Sequence, residues 1–266
     1  MSIRSSLDDL AGQVVLITGG GGHIARAMAA SLAELGCKLC LADKVGSDLE
    51  SFAGDLSVRL QVEVIPILLD LEKESERRTL PEFIERHFGR LDVLINNAAF
   101  VGETKLTGWV VPFEEQTMEA VRRCLEVNLT AAFHVVQLCS PLLRASGGRV
   151  INVGSIYGVL GPDMRLYDGT SMGNPAGYAM SKGGLVQLTR WLATVLAPDI
   201  RVNCISLGGV FRNQNECFVE RYVARTPLQR MASEEDFVGA VAFLGSKLSS
   251  YITGQNLMID GGWSAW

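Results

Sequence analysis

The feature that most constrains this 266-residue chain is a rhythm in which short apolar runs alternate with longer segments of helical period. The runs are Val14 to Ile17, Leu39 to Ala42, Val62 to Leu69, Leu91 to Ile95, Val150 to Val153, Val202 to Ile205 and Leu257 to Ile259. Short apolar runs divided by helices read as βαβ units, whose crossovers make neighbouring strands parallel and bury them on both faces. The expected fold class is therefore α/β, a parallel sheet with helices on both sides. Hydrophobic residues make up 48% of the chain and 28 residues are glycine, which suits one large core with many tight turns. No repeat, low-complexity tract or linker breaks the rhythm, so residues 1–266 are expected to form a single domain.

Charge and cysteine usage exclude several classes. Twenty-four basic against twenty-nine acidic residues give −5, with no electrostatic footprint for nucleic acid or anionic lipid. The first nine residues lack the apolar core of a signal peptide, and no run is long enough to span a bilayer, so a cytoplasmic protein is expected. Six scattered cysteines suit reduced thiols better than a disulfide framework. Cys37 and Cys40 form a C-x-x-C, but in a strand residues three apart point to opposite faces, and no second pair lies nearby, so no metal site is expected.

The first run opens into Thr18-Gly-Gly-Gly-Gly-His-Ile-Ala25 and then a helix from Arg26 to Leu35. A glycine-rich turn there lets backbone approach a pyrophosphate and aims helix N–H groups at it; a plain flexible turn would look the same. The second run ends at Asp43, whose carboxylate can accept from an adenosine ribose and would repel a 2′-phosphate. This argues for NAD over NADP, with Lys44 as a softening influence. Asp70-Leu71 follows the third run, where the acid either meets the adenine amine or sits before a helix expected over Glu72 to Phe88. Asn96-Asn97-Ala98-Ala99 follows the fourth, at a sheet edge where a cofactor would lie.

Further on, the loop 100–113 carries Trp109, Val110, Val111 and Phe113, too apolar for a solvated connection, and forms either a substrate wall or core packing. Asn128 lies in an apolar helical stretch and needs partners, either main chain or an ordered water; the pattern favours main chain. Ser155 falls just past the fifth run, where a hydroxyl can bind a carbonyl or alkoxide oxygen. Tyr178 and Lys182, four residues apart in a helical segment, share a face. To exchange protons near pH 7 a tyrosine must be shifted by about three pH units, roughly 4 kcal/mol, and a neighbouring ammonium favours the phenolate.

Thr18-Gly19, Asn96-Asn97-Ala98, Asn128, Ser155 and Tyr178-x-x-x-Lys182, in this order, resemble the short-chain dehydrogenase/reductase family, and the closing Ile252-Thr-Gly-Gln255 and Asp260-Gly-Gly262 extend the resemblance over nearly the whole chain. It implies a Rossmann fold, a doubly wound sheet of seven parallel strands, and a catalytic tetrad of Asn128, Ser155, Tyr178 and Lys182. In that tetrad Tyr178 exchanges the proton, Lys182 binds the nicotinamide ribose, Ser155 holds the substrate oxygen and Asn128 anchors a water relay. Cofactor contacts are implied at Thr18, Gly19, Gly20, Gly21, Gly22, His23, Ile24, Asp43, Asp70, Leu71, Asn97, Ala98, Ala99, Tyr178, Lys182, Gly208 and Val210.

Three departures from the family pattern carry information. His23 and Ala25 occupy the last two glycine positions of the phosphate loop, which places His23 beside the pyrophosphate. Arg212 stands where a threonine is usual after the sixth strand, so it reads an anionic substrate group, meets the pyrophosphate, or forms a surface ion pair. The segment from Ser155 to Tyr178 is longer than usual, and its insert of residues 161–171, with Asp163, Arg165, Tyr167, Asp168 and Thr170, suits either a hydroxyl-rich substrate or a capped surface loop. This insert and the Gly208-Gly-Val-Phe-Arg-Asn-Gln214 stretch also resemble a branch of oxidoreductases from flagellin-modification and nonulosonate-sugar pathways.

The helix from Ala176 to Ala197 is apolar on more than one side, which suggests burial by another subunit, and the family implies a homotetramer or a homodimer. Residues 212–230 are expected to form a helical lid with Arg221, Tyr222 and Arg225 towards substrate. The expected function is NAD-dependent hydride transfer at a secondary alcohol or ketone, on a polyol or sugar-like substrate bounded by Trp109, Tyr167 and Arg212. The alternatives are a reductase of 3-oxoacyl or other ketones, and a non-catalytic dinucleotide sensor.

Overall fold

The computed structural model describes residues 7–101 and 105–266; the first six residues of the chain and residues 102–104 of the apolar loop lie outside them. Seven strands, β1 (Val14–Thr18), β2 (Lys38–Asp43), β3 (Val64–Leu68), β4 (Val93–Asn96), β5 (Arg149–Ser155), β6 (Arg201–Leu207) and β7 (Asn256–Ile259), form one sheet in the order β3-β2-β1-β4-β5-β6-β7. Every pairing is parallel. The chain winds outward from β1 in one direction and then from β4 in the other. The loops leaving β1 and β4 diverge, and a crevice opens at the carboxyl ends of these strands.

The helices are α1 (His23–Glu34), α2 (Leu49–Leu60), α3 (Glu74–Arg77), α4 (Leu80–Phe88), α5 (Met118–Leu125), α6 (Ala131–Ser146), α7 (Ala176–Val195), α8 (Glu216–Arg225) and α9 (Val238–Gly245). Alternate residues of each strand feed two core layers. Val15 and Ile17 of β1 pack with Ala25, Met28 and Leu32 of α1 and Val241 of α9, whereas Val14 and Leu16 pack with Ile84 of α4, Val135 of α6 and Leu192 of α7. Each fully buried aliphatic side chain contributes roughly 1.5–3 kcal/mol. Cys37 and Cys40 fall in opposite layers, both buried, and burial pushes the Cys37 thiol up to about 12.

The helix expected over Glu72 to Phe88 is instead the pair α3 and α4, broken before Pro81. Proline has no amide to continue the ladder and its ring crowds the preceding turn, but it is tolerated in a first turn, so the helix restarts there. Between α5 and α6 the chain takes a π turn, Glu126–Thr130. Such a turn accommodates one residue more than α geometry and is found most often at functional sites. Among the described residues no helix is long and apolar enough to cross a membrane.

Candidate active site

The ends of β1 and β4 are stitched together by Thr18. Its hydroxyl accepts from the Asn97 and Ala98 amides at 3.1 and 3.2 Å and donates to the Ile95 carbonyl at 3.4 Å. The Asn97 side-chain amide returns the contact, donating to the Thr18 carbonyl at 3.1 Å. Two glycines of the following turn have no room for a side chain. At Gly19, φ is +66° and a Cβ would sit 2.8 Å from the Ala98 Cα; at Gly21 it would sit 2.9 Å from Asp43 Oδ2. The Gly21 amide donates to that same carboxylate oxygen at 2.8 Å. Gly22 precedes α1 and His23 is the first residue of that helix, exposed, while Ala25 is fully buried in the core. The Ala25 methyl is thus accommodated by packing where the family pattern has glycine.

This edge fits a dinucleotide: bare backbone at Gly19 to Gly22, the N-terminus of α1 behind it, and a carboxylate at the end of β2. Asp70 has a local partner, since its carboxylate accepts from the Glu72 amide at 3.0 Å, while the Leu71 carbonyl accepts from Arg77 at 2.5 Å.

Farther along the crevice a cavity of about 530 Å³ opens. Ile24, Asn97, Ala99, Lys182, Gly208 and Val210 line it together with Ser155, Tyr178, Tyr157, Tyr167 and Phe218. Ser155 ends β5 and is buried; its hydroxyl accepts from the Tyr157 amide at 3.2 Å and is also hydrogen-bonded with Tyr178. Lys182, one helical turn from Tyr178 on α7, is buried and donates to the Val153 carbonyl at 2.7 Å, with its ammonium 5.8 Å from the Tyr178 ring centroid.

The electrostatics differ from expectation. Burial raises the Tyr178 phenol above its ordinary range against the opposing hydrogen bond from Ser155, and burial lowers Lys182 to about 8. The cation beside the phenol therefore does not by itself favour phenolate, because desolvation acts on both groups and weakens the charge that would do so.

Asn128 is 1% exposed and sits in the π turn. Its Oδ1 accepts from the Phe100 amide at 2.7 Å, while its Nδ2 donates to the Phe100 carbonyl at 3.0 Å and to Ser181 Oγ at 3.0 Å. It clamps the loop after β4 to α7, which is the main-chain role that the sequence pattern favours.

The substrate-side expectations divide. Tyr167 lines the cavity. Arg212 does too, and its Nε donates to Glu234 at 3.1 Å, so it is ion-paired as well as facing the space. Trp109 does not: it is 1% exposed, packs with Ala120 and Cys124, and its indole donates to the Val101 carbonyl at 2.8 Å. The apolar loop is core packing at this residue, because a buried indole gains area only when its N–H also finds an acceptor.

Within the insert, Asp163 is ion-paired to both Arg165 and Arg225, and Thr170 closes a turn on the Tyr167 carbonyl at 2.8 Å. These groups satisfy one another instead of facing substrate. The segment expected to form the lid makes fixed contacts of the same kind. Arg221 donates to the Asp168 carbonyl at 2.6 Å, the Gly209 amide donates to the Tyr222 hydroxyl at 2.6 Å, and Tyr222 stacks on Trp263 with centroids 4.3 Å apart. Of the three residues expected to face substrate, Tyr222 alone lines the cavity. Sequence reasoning missed Tyr157, Asn174 and Gln214, which also line it; the one available signal was the position of Tyr157, two residues after Ser155.

A family model described as enoyl-(acyl carrier protein) reductase matches residues 21–264. The chain is 35% identical over 265 residues to a tropinone reductase homolog of Arabidopsis thaliana, covering 96% of this chain and 93% of that protein. Among solved structures, a short-chain dehydrogenase of Leptospira borgpetersenii with bound NAD+ superposes with a TM-score of 0.85 at 36% identity, covering 99% of this chain and 97% of the other. An NADPH-dependent 3-quinuclidinone reductase of Rhodotorula rubra does so with a TM-score of 0.87 at 28% identity, covering 100% and 97%.

Proposed function

Because the chain belongs to the short-chain dehydrogenase/reductase family of oxidoreductases, we propose that it interconverts a secondary alcohol and a ketone on a polyol or sugar-like substrate, with NAD as cofactor and Tyr178 as general acid and base. The observation that carries this reading is the convergence of Ser155, Tyr178 and Lys182 on one cavity that opens beside the glycine turn. When bound, NAD supplies the hydride acceptor for alcohol oxidation, and NADH the donor for the reverse.

The residues act as follows in this reading. Ser155 holds the substrate oxygen by a hydrogen bond that strengthens as negative charge develops there. Tyr178 takes the hydroxyl proton as the carbon–hydrogen bond gives up its hydride, and returns it in reduction. Lys182 binds the cofactor's ribose hydroxyls and, when charged, holds down the cost of the phenolate. Asn128 fixes the main chain at Phe100 and the start of α7 through Ser181, and it anchors the water relay that the family resemblance implies. Gly19 to His23 and Asp43 serve the dinucleotide, and the carboxylate supports NAD over NADP. The polar lining from Tyr157, Tyr167, Asn174 and Gln214 supports a substrate with hydroxyls.

Calorimetric titration with NAD+ and NADP+, followed by turnover on a panel of polyols and sugars, tests the reading. Micromolar NAD+ binding with oxidation of a polyol is the expected result; NAD+ binding with no turnover on any alcohol or ketone would sink it. The second reading, reduction of a 3-oxoacyl group, draws on the description of the matching family model and on the apolar wall of Ile156, Met172 and Phe218. Reduction of an acyl ketone in preference to every hydroxylated one would select it.

A homotetramer or homodimer belongs to the same proposal. α7 buries Leu185, Val186 and Leu192 against the chain's own core, and leaves Met180, Trp191 and Val195 about half exposed on its outer side. Light scattering that gives a monomer mass at micromolar concentration would overturn it.

A further inference from the structure

Two tyrosines outside the Ser155–Tyr178–Lys182 constellation meet in the wall of the cavity. The hydroxyls of Tyr157 and Tyr167 are 3.0 Å apart. Tyr157 reaches the wall from the turn after β5, and Tyr167 from the insert that lengthens the path to α7. Either hydroxyl can be the donor of that bond. A phenol has one proton to give, so the pair holds two protons, uses one between its own oxygens and has the other left over, whichever ring supplies it. Both rings line the cavity that Ser155 and Tyr178 also line. Both phenols are held neutral by burial, the Tyr157 phenol far above its ordinary range, so they are donors at any working pH.

We propose that the Tyr157–Tyr167 pair is the specificity-determining element of this enzyme, and that it binds a second oxygen of the substrate, on a carbon close to the reacting one. The substrate class is then a vicinal diol and the α-hydroxy ketone it forms. This rests on the oxidoreductase reading of the site and narrows it. The physical reason is asymmetry: a substrate with an oxygen there accepts the proton that the pair does not use between its own oxygens, whereas one with a methylene leaves a buried donor without a partner. Tyr157 follows Ser155 by two residues and its amide donates to the Ser155 hydroxyl at 3.2 Å, which ties the pair to the group that holds the reacting oxygen.

The test compares a matched pair, butane-2,3-diol and butan-2-ol, with NAD+ as oxidant, in the parent enzyme and in Tyr157→Phe and Tyr167→Phe. The parent is expected to prefer the diol by at least about tenfold in kcat/KM. Tyr157→Phe and Tyr167→Phe should each lose more on the diol than on the mono-ol, and the double variant should bring the ratio near one. A second readout is calorimetric affinity of the diol for the NADH-loaded enzyme, which Tyr157→Phe should weaken. Turnover of both alcohols by the parent without preference, or an equal loss on both in Tyr157→Phe, overturns this inference while leaving the oxidoreductase reading in place. Turnover of neither by a parent that oxidises a mono-alcohol or an isolated ketone's alcohol elsewhere in the panel overturns this inference alone; no turnover on the whole panel by a parent that binds NAD+ overturns both.

Discussion

The Gly21 amide and the Asp43 carboxylate are hydrogen-bonded at 2.8 Å across the tip of the first βαβ unit. The second carboxylate oxygen accepts from the Lys44 amide at 2.7 Å, so the group is held between two main-chain donors at the end of β2. A carboxylate fixed there favours ribose hydroxyls and repels a 2′-phosphate. Asp43→Ala is expected to weaken NAD+ binding and to shift the NAD+/NADP+ affinity ratio towards NADP+ by about tenfold or more. Calorimetry with both dinucleotides checks it, and an unchanged ratio would leave Asp43 a purely structural brace.

Removing the Tyr178 hydroxyl deletes the proposed proton carrier while retaining the ring. Tyr178→Phe should lower kcat by about 10²–10⁴-fold. Its NAD+ affinity, read separately by calorimetry, is expected to stay within a few-fold of the parent. A loss in affinity as large as the loss in rate would point to a binding role instead.

Lys182 makes stability depend on pH in a definite direction. Burial holds it at about 8 in the folded chain against an ordinary 10.5, so between these values the unfolded chain binds a proton that the folded chain refuses. The resulting penalty is absent above the higher value, grows as pH falls and is complete below the lower one, on the order of 3 kcal/mol. Lys182→Met removes this dependence, although it leaves the Val153 carbonyl without its donor. The stability of the cofactor-free variant relative to the parent, from urea unfolding, should therefore be lower at pH 10 than at pH 7. A difference that does not change with pH would show Lys182 to be charged without penalty.

Asn128→Ala would leave the Phe100 amide and carbonyl without their partner, and would take one donor from the Ser181 hydroxyl, which still donates to the Tyr178 carbonyl. Unpaired buried groups of this kind cost about 1–3 kcal/mol each, with partial relief by entering water, so a total loss of about 2–4 kcal/mol in unfolding free energy is expected. A loss under about 0.5 kcal/mol would contradict the clamp.

The rhythm of apolar runs was enough to place all seven strands, because the inner strands, buried on both faces, must be apolar along their length, and the partly exposed edge strands β3 and β7 carry short apolar runs as well. The Tyr178–Lys182 spacing was legible for a similar reason, being set by the pitch of one helix. What could not be read depended on where separate segments meet. An apolar loop residue such as Trp109 looks the same whether it turns towards the core or towards a ligand, and the choice was made by the Val101 carbonyl. The polar insert suited either a hydroxyl-rich pocket or a capped surface loop, and for Asp163 the choice was made by its pairing with both Arg165 and Arg225, the second of which lies 62 residues away in sequence. Tyr157 carried no periodic or motif signal, and its place in the cavity wall depends on how the insert folds back to bring Tyr167 to it. The burial that opposes ionisation of Tyr178 could not be read either, because a sequence reveals the neighbouring charge but not the degree of burial.

The π turn at Glu126–Thr130 has a consequence for how this helix can vary. An α-helix advances about 100° per residue and a π turn less, so the five residues here turn about as far as four would in an α-helix, and the helix on either side keeps its face despite the extra residue. Deleting one residue would restore the ordinary ladder and keep the face of α6 that carries Val135 and Cys139 against the sheet, but it would close the widened turn from which Asn128 reaches Phe100 and Ser181. The extra residue thus serves the buried amide alone: the core face could spare it, and the clamp could not.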